Sequence, residues 1–168
     1  MRRRDKLVSD KNLLHTVLDQ AKVCRLGLAN GTHPYIVPMS FGFDGRDIYI
    51  HSATSGEKIE ILRNNPNVCV EFEQDVSIVE GEKPCHWGVQ YLTVIGHGTA
   101  EPVTDPAQKS YGLNQIFRHY QPMTKDYPFA SEELESVLIY KITLREIVGK
   151  ISGSKLRQLY AQTVTDAF

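Results

Sequence analysis

Residues 24–52 read CRLGLANGTHPYIVPMSFGFDGRDIYIHS. Cys24, Leu26 and Leu28 alternate with Arg25 and Gly27. Tyr35, Val37, Met39, Phe41 and Phe43 then share one face of the next stretch. Ile48 and Ile50 alternate with Tyr49 and His51. A period of two marks half-buried strands. Asn30-Gly31 and Asp44-Gly45 fall between the alternating runs, and these residue types tolerate the positive φ that tight hairpin turns require. The stretch therefore predicts an antiparallel meander of three strands. Pro38 interrupts the middle strand and removes a ladder donor, which implies an edge, a bulge or a backbone that faces a ligand.

Working outward, Leu14, Val17, Leu18 and Ala21 fall at helical spacing between Asp10 and Lys22, with Asp10 as the cap. A second helix is expected after Ala53, where Thr54 and Glu57 have capping-box spacing and Asn64-Asn65-Pro66 provides the stop. Val68, Val70 and Phe72 make a further strand, and EGEKP at 80–84 is a polar connection. From Tyr91 to Val103, Leu92, Val94, Gly96, Gly98 and Ala100 share one face; such small residues admit a neighbouring strand or a ligand. Asp105-Pro106 opens a helix that buries Leu113, Ile116, Phe117 and Tyr120, and Gln121-Pro122 closes it. A last long strand is expected over 137–152, followed by a weak helix through Leu156, Leu159 and Tyr160. Six hairpin-linked strands with few helices predict a mainly β protein, a small antiparallel split or closed barrel.

The chain has 168 residues, 41% of them hydrophobic, with 19 basic and 20 acidic side chains. That length suits one domain spanning 1–168, with 1–9 and 154–168 as tails. A net charge of -1 argues against nucleic acid or an anionic membrane as the main partner. The Arg2-Arg3-Arg4 tip reads as a solvated terminus, and no window approaches a membrane span or a signal peptide, so the cytoplasm is the expected compartment. Cys24, Cys69 and Cys85 are too dispersed for a disulfide framework. Cys85-His86 lacks a second ligand pair, so no metal site is expected. His15, His33 and His119 read as surface or helix-face residues; for His97, on a glycine-rich strand, a cleft-facing position is the less favoured alternative.

The stretch that carries chemistry is His51-Ser-Ala-Thr-Ser-Gly-Glu-Lys58, which joins a strand end to a helix start. It gathers hydroxyls at Ser52, Thr54 and Ser55, a bare backbone at Gly56 and a cation at Lys58. A helix amino end attracts anions, and a phosphate fits there. The plainer reading is a well-capped helix. A lysine in a first turn is unfavourable to the helix dipole, which favours the anion. The GxxxxGK[ST] pattern of a P-loop is absent.

The ordered series RLGL (25–28), PYIVPMSF (34–41), IYIHSA (48–53), GEK (56–58), NPNV (65–68) and VIGHGTA (94–100) resembles the FMN-binding split-barrel superfamily. Within it the chain is similar to the pyridoxamine-phosphate-oxidase-related branch that includes the Nim-type nitroimidazole-resistance proteins. The resemblance implies a homodimer with FMN in clefts between the subunits. It implies that Val37, Pro38, Met39 and Ser40 line the isoalloxazine ring, that His51, Ser52 and Ala53 run beside ring and ribityl chain, and that Ser55 and Lys58 hold the phosphate. Trp87, Tyr91, Val94 and Lys150 would approach the flavin, some from the other subunit. The activity so implied is an FMN-dependent oxidoreductase, of nitroaromatic compounds among others, fed by NAD(P)H or another donor, with His51 as proton donor. Two alternatives are a non-enzymatic flavin store or sensor and a haem-binding protein; deazaflavin is an alternative cofactor. The tail beyond Gly153 does not resemble the Arg-rich substrate motif of true pyridoxamine phosphate oxidases, which argues against vitamin-B6 oxidation.

Overall fold

The computed structural model describes residues 6–121, 125–154 and 156–158. The elements run β1 (Leu7–Val8), α1 (Lys11–Gln20), β2 (Cys24–Asn30), β3 (His33–Met39), β4 (Phe41–Phe43), β5 (Asp47–Ser52), α2 (Glu57–Asn64) and β6 (Asn67–Val79). They continue with a 3-10 turn (Pro84–His86), β7 (Gly88–Val103), α3 (Pro106–Tyr120), α4 (Ser131–Glu135) and β8 (Leu138–Ser152). Hydrogen-bonded neighbours follow the order β3-β2-β6-β7-β8-β5-β4, with β1 added to β8. The fold is mainly β, antiparallel in every pair whose register is defined, with flanking helices. Among the described residues the short β1 and β4 bring the strands to eight, against six expected.

The chain divides into two compact units. One comprises Met1–Ala21, Phe72–Ile95 and Ile147–Phe168; the other comprises Lys22–Glu71 and Gly96–Glu146. In the first, Asp10 caps α1 by accepting from the Leu13 amide at 2.8 Å. Leu14, Val17 and Leu18 are buried, as their spacing requires. The segment expected as a loose N-terminal tail is partly built in: Leu7 pairs with Lys150, Val8 with Gly149, and Lys6 Nζ donates to Ser152 Oγ at 2.9 Å. Residues 1–5 and the tail positions Leu159 and Tyr160 lie outside the described residues.

In the second unit both expected hairpins form. Asn30 pairs with His33 across Gly31-Thr32, so the turn sits one residue later than Asn30-Gly31. Gly31 alone takes positive φ (60°), the pattern of a turn with glycine first. In the second hairpin Asp44 Oδ1 accepts from the amides of Arg46 and Asp47, and Phe43 pairs with Ile48. The single long strand expected over 35–43 is broken at Ser40, so the meander does not continue. β3 pairs with β2, while β4 pairs with β5, and these strands stand at opposite ends of the order. Ser40 alone joins those ends. Pro38 lies opposite Arg25 in β3, whose one partner in that order is β2, so the edge reading of the proline holds.

Helix α3 packs on β4 and β5 in this unit. Leu113 and Ile116 are buried with Tyr49, Leu134 and Ile139. Phe117 and Tyr120, expected on that buried face, are 47% and 40% exposed. The Tyr120 hydroxyl still ties the helix end to the sheet: it donates to Lys22 O at 3.0 Å and accepts from Phe41 N at 3.1 Å. Tyr120→Phe should cost about 1–3 kcal/mol, because an amide and a carbonyl lose their partner. A denaturant midpoint within error of the parent would contradict that role. Gly98, one of the small face residues, serves a neighbouring strand: a Cβ there would strike the Thr143 carbonyl of β8.

Candidate functional site

The second unit gathers Met39, Ser40, His51 and Lys58. Lys58 stands at the second position of α2. Its helix begins later than the sequence predicts: the N-cap is Gly56 at φ 124°, a value that suits glycine, and no side chain caps the amino end. The expected Thr54–Glu57 capping box therefore does not form. With no side-chain acceptor, the Glu57 and Lys58 amides are left for an anion, whereas the Ile59 amide donates to Gly56 O at 2.9 Å.

Lys58 Nζ donates to the Met39 sulfur at 3.1 Å, and a thioether is a weak acceptor. Among the described residues it has no carboxylate partner. Glu60 is paired with Arg63 at 3.0 Å, and Glu57 is exposed. Partial burial lowers the Lys58 pKa from its ordinary value, the mark of a cation without compensation. Of the hydroxyls nearby, Ser52 is buried at the end of β5, whereas Thr54 and Ser55 are exposed, as is Ala53. In β3, Val37 is half-buried and Pro38 exposed.

His51 is half-buried on β5, and its Nδ1 is buried with no hydrogen-bond partner. Burial, and secondarily the Lys58 charge, lower its pKa, so the neutral ring is favoured. A histidine whose folded pKa lies below its unfolded value takes up its proton more readily when unfolded. Its contribution to stability is therefore intact above the ordinary value of 6.5 and lost as pH falls below it. Thermal midpoints measured from pH 8 to 5 should fall more steeply in the parent than in His51→Gln. Parallel profiles would contradict the assigned environment.

Ser40 and His51 also line a pocket of about 480 Å³, whose walls are Leu113, Ile116, Phe117 and Tyr120 from α3 with Phe129, Glu133, Ser136 and Val137. The sequence reading missed this wall. Its signal was faint, because α4 is only five residues long and 125–137 has no clear periodicity. Asn114, 2% exposed, organises it by exchanging hydrogen bonds with the Tyr127 backbone: its Oδ1 accepts from Tyr127 N at 2.8 Å and its Nδ2 donates to Tyr127 O at 3.2 Å.

The remaining predicted residues belong to the first unit. The Lys150 ammonium lies 5.3 Å from the Tyr91 ring centroid. Trp87 is exposed and its Nε1 donates to Gly81 O at 2.8 Å. Val94 is 0% exposed, so its side chain offers no surface to a ligand. His97 is exposed. Among the described residues no cluster of three or more His, Cys, Asp or Glu is placed to hold a metal, and no helix is long and apolar enough to cross a membrane.

The strand order, the two hairpins and the junction at Ser40 define a protein of the split-barrel class. The chain belongs to the pyridoxamine 5'-phosphate oxidase family, whose model matches residues 10–151. Among solved structures it is similar to a candidate 5-nitroimidazole antibiotic resistance protein from Bacteroides thetaiotaomicron, with 28% identity over 86% of each chain and a TM-score of 0.76. It shares its fold with the FAD and haem binding protein of Mycobacterium smegmatis (20% identity, 89% of this chain and 74% of that one, TM-score 0.80). An FAD-binding protein from Mesorhizobium loti also shares it (22% identity, 88% and 98%, TM-score 0.64). No curated protein matches the sequence significantly.

Proposed function

We propose that this protein is an FMN-binding oxidoreductase that works as a homodimer in the cytoplasm and reduces nitroaromatic compounds, with NAD(P)H or another donor as reductant. The observation that carries the reading is Lys58: a half-buried ammonium at an uncapped helix start, with a thioether where an anion belongs. A phosphate monoester would complete that corner, with Ser55, exposed just before the helix, as a second partner. The similarity to the Bacteroides protein supports the nitroaromatic class. Second-copy contact is supported by an apolar run in the first unit, where Val76, Ile78, Val79, Trp87 and Val89 are all exposed.

A bound flavin would supply hydride and electron transfer. The chain's own residues would do the rest. Lys58 would neutralise the cofactor's anionic end, the β3 backbone from Val37 to Ser40 would position its planar head, and His51, neutral with Nδ1 unpartnered, would hold a proton at that atom. Trp87, Tyr91 and Lys150 would complete the site from a partner subunit.

The test is the full chain, purified with FMN, a nitroimidazole and NADH, NADPH or dithionite. A flavin spectrum with nitro-group reduction is expected. Tight flavin binding without turnover would reduce the protein to a store or sensor, and a Soret band would replace flavin by haem.

A further inference from the structure

Met39 ends β3 opposite Cys24 and is 8% exposed. Its sulfur accepts from Lys58 Nζ at 3.1 Å, and Lys58 is itself only half-buried. The thioether therefore sits at the rim of the core, separated from water by one ammonium group. Met39 is the one methionine among the described residues; Met1 and Met123 lie outside them.

A thioether is a weak acceptor, so a phosphate displaces it from Lys58 at small cost. Oxidation reverses that balance. A sulfoxide is polar, and its oxygen carries partial negative charge that an adjacent ammonium holds by a charge-assisted hydrogen bond. Hydrogen peroxide supplies the oxygen. A sulfur lone pair attacks one peroxide oxygen, and the S–O bond forms as the O–O bond breaks. The departing hydroxide takes the proton of the sulfur-bound hydroxyl and leaves as water. Sulfur is oxidised by two electrons and the peroxide is reduced. The thiols nearby compete poorly, because thiolate is their reactive form and burial pushes Cys24 and Cys69 above their ordinary values. Cys85 is exposed and belongs to the other compact unit.

We infer that Met39 is an oxidative modification site for hydrogen peroxide, and that its sulfoxide closes the phosphate corner by taking Lys58 as its own hydrogen-bond partner. The inference rests on the flavin reading only for its consequence; the modification and its hold on Lys58 are read without cofactor. FMN then binds the reduced protein and is refused by the oxidised one until a sulfoxide reductase restores the thioether.

The test uses the full-length apo protein and hydrogen peroxide, with N-acetylmethionine amide in the same tube as reference and a thiol added afterwards to reverse cysteine sulfenates. Peptide mass spectrometry should show Met39 sulfoxide by the dose that consumes the reference. Reductive methylation of Lys58, which needs the free amine, should slow by about threefold or more, because a stronger acceptor favours the ammonium form. FMN affinity should fall by about tenfold or more and return after treatment with methionine sulfoxide reductases for both epimers. In Met39→Leu, a volume-conserving change, peroxide should alter neither Lys58 reactivity nor FMN affinity. Met39 still reduced when the reference is consumed, Lys58 methylated at an unchanged rate, equal FMN binding by both forms, or the same FMN loss in Met39→Leu would overturn the inference. If neither form binds FMN while oxidation slows Lys58 methylation, the modification site stands and the flavin reading falls.

Discussion

Gly42→Ala is expected to destabilise the protein by about 3 kcal/mol or more, the upper end of the range for overpacking. Gly42 pairs with Tyr49 in the β4–β5 hairpin, under helix α3. A Cβ there would land on the Gln115 carbonyl group and the Ile116 amide. These are backbone atoms, so no rotamer change relieves the clash, and α3 has to lift from the sheet. Lifting it strains both Tyr120 hydrogen bonds and moves Leu113, Ile116 and Phe117, which wall the pocket. Gly88→Ala is the control: nothing lies within 4 Å of its Cβ, and its φ is not in the left-handed region. Denaturant melts should separate the two variants clearly. Equal midpoints would mean that α3 does not bear on β4 as closely as described.

Lys58→Met should weaken FMN by about ten- to a hundredfold, the worth of a hydrogen bond to a charged group. The apo fold should be as stable as the parent or more so. Lys58 has a folded pKa below its unfolded one, so at neutral pH its charge is borne more comfortably by the unfolded chain. Methionine removes that burden and keeps the stem packed beside Met39. A fall in ligand affinity without a fall in stability is the signature of a binding residue. A structural lysine would show the reverse, a lower melting point with FMN affinity intact.

How far the sequence could be read follows the range of the interactions. The hairpins at Gly31 and Gly45 depend on φ at single residues and were visible as Asn-Gly and Asp-Gly pairs. The Asp10 cap of α1 is equally local. The cationic corner was visible because strand end, hydroxyls and Lys58 fall within eight consecutive residues. The break at Ser40 was not, since alternation runs unbroken from Tyr35 to Phe43 and only strand partners far along the chain decide where it parts. The late start of α2 escaped for a related reason. Thr54-Ser55 has the composition of a cap, but Gly56 adopts a φ that places the helix beyond it. The pocket was the least legible feature. Phe117 and Tyr120 carry the helical spacing of core residues, and their exposure becomes apparent only once α4 and Asn114 fix the opposite wall.

The claim beneath the functional reading is that Lys58 awaits a phosphate. Comparative titration of FMN and riboflavin, which differ by that group alone, addresses it directly. FMN should bind at least about tenfold more tightly, and the preference should vanish in Lys58→Met. Equal affinity for the two flavins in the parent protein would contradict the account.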